Sequence, residues 1–147
     1  MASLSVHLTP ANLLDLDLSD REALLRALAA AGAERAGLDP EQLHAAIVER
    51  ERLCTTALGQ SVAMPHVRLS GVKRFTVLLA RNRQGLDFSA PDGEPVRLFL
   101  LIVGPAEEKD GYVKLMGRAA RFLRAEAAGL IGSQDFLQAV ASAAAEH

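Results

Sequence analysis

The stretch Cys54-Thr55-Thr56-Ala57-Leu58-Gly59-Gln60-Ser61-Val62-Ala63-Met64-Pro65-His66 closes a short apolar run on a proline and a histidine, with Arg50 sixteen positions before that histidine. Two roles are open to His66. It can be a satisfied or exposed structural residue near a strand end. It can also be a nucleophile, because histidine titrates close to neutral pH and its neutral imidazole then carries a free lone pair. Pro65 fixes its own φ and pushes Met64 toward extended geometry, which stiffens the chain where the imidazole projects. Arg50 also has two readings: a favourable cation at a helix C-terminus, or a planar guanidinium that grips a phosphate with paired hydrogen bonds. The hydroxyls of Thr55 and Thr56, and a backbone free to turn at Gly59, suit a loop that offers several donors to an anion.

These groups need elements to hold them. Residues 13–19 (LLDLDLS) alternate apolar and polar from Leu14 and predict a short strand. Ser19 with Glu22 three residues later predicts a capped helix, its inner side formed by Leu24, Leu25, Leu28 and Ala31, ending at Gly37. Asp39, Pro40 and Gln42 open a second helix, with Leu43, Ala46 and Ile47 inward, that runs to about Arg52. Residues 74–81 and 96–104 are nearly continuous apolar runs, as expected of strands covered on both faces. The Gly-, Pro- and Asp-rich segment 84–95 between them reads as turn. Residues 110–127 predict a helix with Val113, Met116, Ala120 and Leu123 inward, and Ser133 caps a last helix over 133–146. With no internal repeat or linker, residues 1–147 are expected to form a single α/β domain, helices packed on a mixed sheet.

The totals exclude several classes. A net charge of -2 and a pI of about 6.1 give no electrostatic case for nucleic acid or an anionic membrane. The one cysteine, Cys54, rules out an intrachain disulfide and a Cys-rich metal site and makes a cytoplasmic compartment the default. It is expected to be a small buried filler rather than a reactive thiol. The N-terminus lacks the pattern of a signal peptide, and the longest apolar run, residues 98–103, is far short of the roughly 20 residues that span a bilayer. No Asp, Glu and His set has metal-ligand spacing, and no G-x-x-x-x-G-K-S/T nucleotide loop occurs. His7, His44 and His147 are expected at the surface. Lys114, Arg118, Arg121 and Arg124 form a basic stripe that reads as a solvated face.

The segment from Arg50-Glu51 to Pro65-His66 resembles the enzyme IIA family of the bacterial sugar phosphotransferase system, fructose–mannitol branch, which includes stand-alone nitrogen-regulatory proteins. Members typically read R-E-x-x-x-S/T-T-G-I-G-x-G-I-A-I-P-H, with the same Arg-to-His spacing. Residues 88–105 (FSAPDGEPVRLFLLIVGP) are similar to the family's F-x-A-x-D-x-x-P-V pattern and the strand after it. The likeness runs from about Leu8 to Val140.

The resemblance implies a three-layer fold, a mixed sheet sandwiched between helices. It also implies phosphoryl relay, with no cofactor. A small histidine-phosphorylated carrier protein (HPr-like) docks and passes its phosphoryl group to His66, with Arg50 as counter-charge and Thr55, Thr56 and loop N–H groups around the phosphate. A downstream regulatory protein or IIB-type acceptor would follow. No permease or IIB segment is expected in the chain, so regulation is favoured over sugar transport.

Three departures stand out. Ala57 and Ser61 occupy positions where the family usually has glycine, a strain wherever φ is positive. Tyr112 occupies the position of a second active-site histidine; a phenol still donates one hydrogen bond but cannot become cationic. These departures keep a second hypothesis open, a binding module that retains the fold and takes no phosphate. A hydrolase using His66 is disfavoured, since no acid is placed to activate water.

Overall fold

The two apolar runs become the two long central strands of the sheet. The computed structural model describes residues 3–147. Short single turns of helix at Leu4–Val6 and Pro10–Asn12 lead into β1 (Leu13–Leu16), α1 (Arg21–Ala36) and α2 (Pro40–Leu53). Three short strands follow, β2 (Ala57–Gly59), β3 (Val62–Ala63) and β4 (His66–Leu69), then β5 (Thr76–Leu86), β6 (Val96–Pro105), α3 (Lys109–Ile131) and α4 (Phe136–Ala144). The six strands form one mixed sheet in the order β1-β5-β6-β3-β2, with β4 also beside β6. β5 and β6 are antiparallel, whereas β1 on β5, and β3 and β4 on β6, are parallel.

Alternation along β5 and β6 sends side chains to two cores. Val77, Leu79, Leu98, Leu100 and Ile102 meet α3 and α4 on one face. Leu78, Ala80, Phe99, Leu101 and Val103 meet α1 and α2 on the other. This is why these strands read as continuous apolar runs, and the result is the expected three layers.

Several boundaries differ from expectation, each for a local reason. Asp20, not Ser19, caps α1, because its carboxylate reaches the Glu22 N–H. Gly37 ends that helix as expected, with φ +71°. The final helix starts at Phe136 with Asp135 as its cap, while the Ser133 hydroxyl accepts the Asp135 N–H one step earlier. On α3 the inward face is Tyr112, Leu115, Ala119, Phe122 and Leu123, one residue round from the expected stripe. Val113 is 53% exposed, and Met116 and Ala120 lie only at the core's margin. Gly104 has no side chain, and a Cβ there would sit 2.8 Å from the Phe75 ring and 3.1 Å from the Tyr112 ring, so glycine leaves room for both rings beside the start of α3. Part of the expected turn 84–95 is strand, since β5 continues to Leu86 across a break in register.

Candidate functional site

His66 opens β4, and Pro65 just before it gives its carbonyl to the Ile102 N–H. His66 pairs in register with Ile102, so its ring lies on the α3 face of the sheet, with the Tyr112 ring centroid 5.9 Å away. Its Nδ1 is 2.7 Å from the Met64 carbonyl. A carbonyl can only accept, so Nδ1 carries the proton and Nε2 keeps its lone pair. Burial pushes the His66 pKa below 6.5, and the Arg50 charge pushes the same way, against the Met64 hydrogen bond and the charge of Glu51. The ring is therefore neutral at pH 7, the form a nucleophile needs.

Arg50 stands in the last turn of α2, where its Nη1 donates to the Cys54 carbonyl at 2.8 Å. It is thus both the helix-end cation and a neighbour of His66. A hollow of about 460 Å³ brings Arg50, His66, Arg68 and Tyr112 together, with Leu53 and Leu69 at its wall. Tyr112 is buried, and burial, partly offset by Arg68 and Arg50, pushes its hydroxyl up to about 12. It stays a protonated phenol, able to donate.

Arg68 escaped the sequence reading. It lies two residues beyond His66 on β4, hence on the same face. Its Cζ sits 5.3 Å from the Tyr112 ring centre and its Nη1 donates to the Ala106 carbonyl at 3.2 Å. The signal was the i, i+2 spacing, invisible until residues 66–69 are known to be a strand. The Met64 carbonyl, a backbone group, had no signal at all.

Thr55 and Thr56 do not line the hollow. The Thr55 hydroxyl donates to the Phe88 carbonyl and accepts the Ala57 N–H at 3.1 Å. Buried Thr56 gives its hydroxyl to Glu51 Oε1 and its N–H to Glu51 Oε2. Both threonines thus fix the loop that follows Arg50. Cys54 is exposed, contrary to the expected buried filler, because it ends α2 at the surface.

The second motif braces the first. Phe88 is buried against Phe99, and the Asp92 carboxylate accepts the Gln60 N–H at 2.9 Å and the Glu94 N–H at 3.1 Å. Those backbone bonds hold the Asp92 carboxyl below its ordinary pKa. Gln60 and Ser61 form the two-residue turn between β2 and β3, with φ of +59° and +64°. The concern over Ser61 is thus justified. The concern over Ala57 is not: it lies in β2 and is not among the positive-φ residues.

The other histidines are less exposed than expected. His7 is half-buried, and burial lowers its pKa. His44 Nε2 lies 2.9 Å from a Glu22 oxygen, and His147 lies 3.2 Å from Glu126 with its ring edge-on to Phe122. Lys114, Arg121 and Arg124 are exposed, and Arg118 is partly buried. Among the described residues no group of three or more His, Cys, Asp or Glu is placed to hold a metal ion, and no helix is long and apolar enough to cross a membrane.

A mixed sheet between two helical layers, with His66, Arg50 and Arg68 around one hollow at its edge, has the layer order of a class of folds already seen in solved structures. The structure matches that of nitrogen regulatory protein IIA-Ntr from Neisseria meningitidis with a TM-score of 0.87 and 26% identity, covering 96% of this chain and 99% of that one. It shares its fold, at 19% identity and a TM-score of 0.76, with the complex of enzyme IIAMTL and phosphorylated enzyme IIBMTL from Escherichia coli, covering 94% of this chain and 96% of that one. In sequence, it is 35% identical over 109 residues to a nitrogen regulatory protein of Bradyrhizobium diazoefficiens, 74% of this chain and 71% of that protein. Residues 9–142 match the model of the phosphoenolpyruvate-dependent sugar phosphotransferase system EIIA 2 family, and the chain belongs to that family.

Proposed function

We propose that the protein is a phosphoryl relay that accepts a phosphoryl group on His66 Nε2 from a histidine-phosphorylated carrier protein. The reading rests above all on one observation: Nδ1–H is committed to the Met64 carbonyl, so the one uncommitted ring nitrogen belongs to a neutral imidazole beside Arg50 and Arg68. In the step, the N–P bond of the carrier's phosphohistidine breaks as the bond from phosphorus to Nε2 forms. The electron pair returns to the carrier's imidazole, which leaves neutral because its other ring nitrogen carries a proton, and the His66 proton stays on Nδ1, donated to the Met64 carbonyl. The donor arrives activated, so the protein's work is alignment and charge balance on the equatorial oxygens. Arg50 and Arg68 supply cations, and the Tyr112 hydroxyl supplies one donor. Exposed Leu53 and Val113, beside the arginines and Tyr112, offer apolar surface for the carrier.

A nitrogen-regulatory rather than sugar-transporting role, exercised in the cytoplasm, belongs to the same proposal, and the two nitrogen regulatory proteins among the relatives above support its regulatory part. A IIB-type acceptor or a regulatory protein would receive the group or sense its presence. Incubation with phosphoenolpyruvate, enzyme I and the cognate carrier should add one acid-labile phosphoryl group, absent in His66→Ala; a clean failure to label overturns the proposal. Tyr112 in place of histidine is the observation that favours the second reading, a module that takes no phosphate. That reading requires His66→Ala to keep all control over a partner, and loss of phosphorylation-dependent control in the variant removes it.

A further inference from the structure

At the opposite end of β6 from His66 lies a second hollow, of about 440 Å³, within the range of small-molecule sites. Arg81, Arg83 and Arg97 line it with Ser133 and Gln134, and no carboxylate does, in a chain whose net charge is -2. Arg97 lies five residue steps along β6 from Ile102, the register partner of His66, about 17 Å of strand, so the two hollows are distinct.

The three arginines are not equivalent. Arg81 is buried and saturated: its Nε and Nη2 bind Asp15, and its Nη1 donates to the Ser133 carbonyl. It ties the α3–α4 connection to the sheet and fixes the back wall. Arg83 is exposed, and its one contact is to the same, already engaged, Asp15 at 3.5 Å. Arg97 has no hydrogen-bond or ion-pair partner among the described residues. Its guanidinium rests against Gly85, where a Cβ would sit 3.2 Å from Cζ.

Both strands are irregular here. β5 breaks register between Arg81 and Leu86, and on β6 the Arg97 and Leu98 N–H groups share the Ser61 carbonyl. Such bulges turn side chains out of the ladder's alternation. The Ser133 hydroxyl accepts the Asp135 N–H, which leaves its own proton to donate.

We propose that this hollow is a second anion site, taking a small phosphomonoester dianion between the guanidinium groups of Arg83 and Arg97, with Ser133 and Gln134 at its uncharged part. The open guanidinium fork of Arg97, together with Arg83, whose one carboxylate contact is the long 3.5 Å one to Asp15, matches a dianion in charge and geometry. The inference stands on the arginine geometry alone and does not depend on phosphorylation of His66.

The test is an NMR titration of the full chain with glycerol 3-phosphate, beside inorganic phosphate, succinate and neutral glycerol. Saturable shifts should appear at Arg83, Arg97, Ser133 and Gln134 with a dissociation constant in the millimolar range or tighter. Affinity should fall roughly tenfold or more in Arg97→Gln and Arg83→Gln and stay unchanged in Arg50→Gln. Melting temperatures check that the variants fold, and Arg97→Lys should keep part of the affinity. The proposal is overturned by shifts confined to the surroundings of His66, by undiminished binding in the Arg83→Gln/Arg97→Gln double variant, or by succinate or glycerol binding as tightly as glycerol 3-phosphate.

Discussion

The buried carboxylate of Glu51 holds both the N–H and the hydroxyl of Thr56, immediately after Arg50 in sequence. One dipeptide therefore does two jobs: Arg50 faces the hollow, and Glu51 anchors the loop that leads to His66. Glu51→Ala leaves two buried donors without an acceptor and should cost about 1–3 kcal/mol per unmet group. Chemical denaturation measures this; an unchanged midpoint would contradict the anchoring role.

The charge of His66 should respond to both neighbours. Its pKa lies below 6.5, so NMR titration should find the ring neutral at pH 7. Arg50→Gln should raise the pKa and Glu51→Gln should lower it further, since the arginine opposes the imidazolium and the glutamate favours it. A depressed folded pKa means the unfolded chain binds the proton more readily. His66 thus contributes stability that is complete above pH 6.5 and is lost as pH falls toward the folded value. His66→Gln should flatten that part of the stability profile.

Ser61 has a φ of +64°, a left-handed conformation that glycine adopts without strain. Ser61→Gly should stabilise the protein by about 1 kcal/mol, seen as a rise in Tm of about 2–4 °C. Ala57→Gly should do the opposite, losing about 0.5–1 kcal/mol, because Ala57 is an ordinary strand residue. Equal effects from the two substitutions would contradict the turn geometry.

Arg68 and Tyr112 should matter to phosphoryl transfer more than to folding. Arg68→Gln removes an exposed cation and should slow labelling about tenfold, roughly 1.4 kcal/mol of barrier, at near-normal Tm. Tyr112→Phe keeps the packed ring, so a slower rate would isolate the hydroxyl. Because the Tyr112 hydroxyl is pushed up to about 12, the parent should show no titration of this position below pH 9. Tyr112→His should add a new pH dependence to the transfer rate near the ordinary histidine range. Rates taken across pH 5.5–8.5 decide this.

The long elements were legible in the sequence because their signals are local. The apolar runs at 76–80 and 98–103, the Asp39-Pro40 start and Gly37 stop are each set by a few adjacent residues. His66 and Arg50 were legible by type and spacing, and they do share one hollow. What was hidden depends on tertiary placement. The three short strands take their identity from pairing with β6 and one another rather than from a pattern of their own. The assignment of Thr55 and Thr56 to a phosphate could not anticipate that Glu51 and the Phe88 carbonyl hold their hydroxyls. The buried face of α3 depends on contacts between elements, among them the approach of the Tyr112 and Phe75 rings to Gly104 on β6.

The most direct test of the account is the atom that carries phosphorus. After phosphorylation of nitrogen-15-labelled protein by its carrier, NMR should show nitrogen–phosphorus coupling at Nε2 of His66, with Nδ1 still protonated against Met64. Phosphorus on Nδ1, or on any other residue, would contradict it.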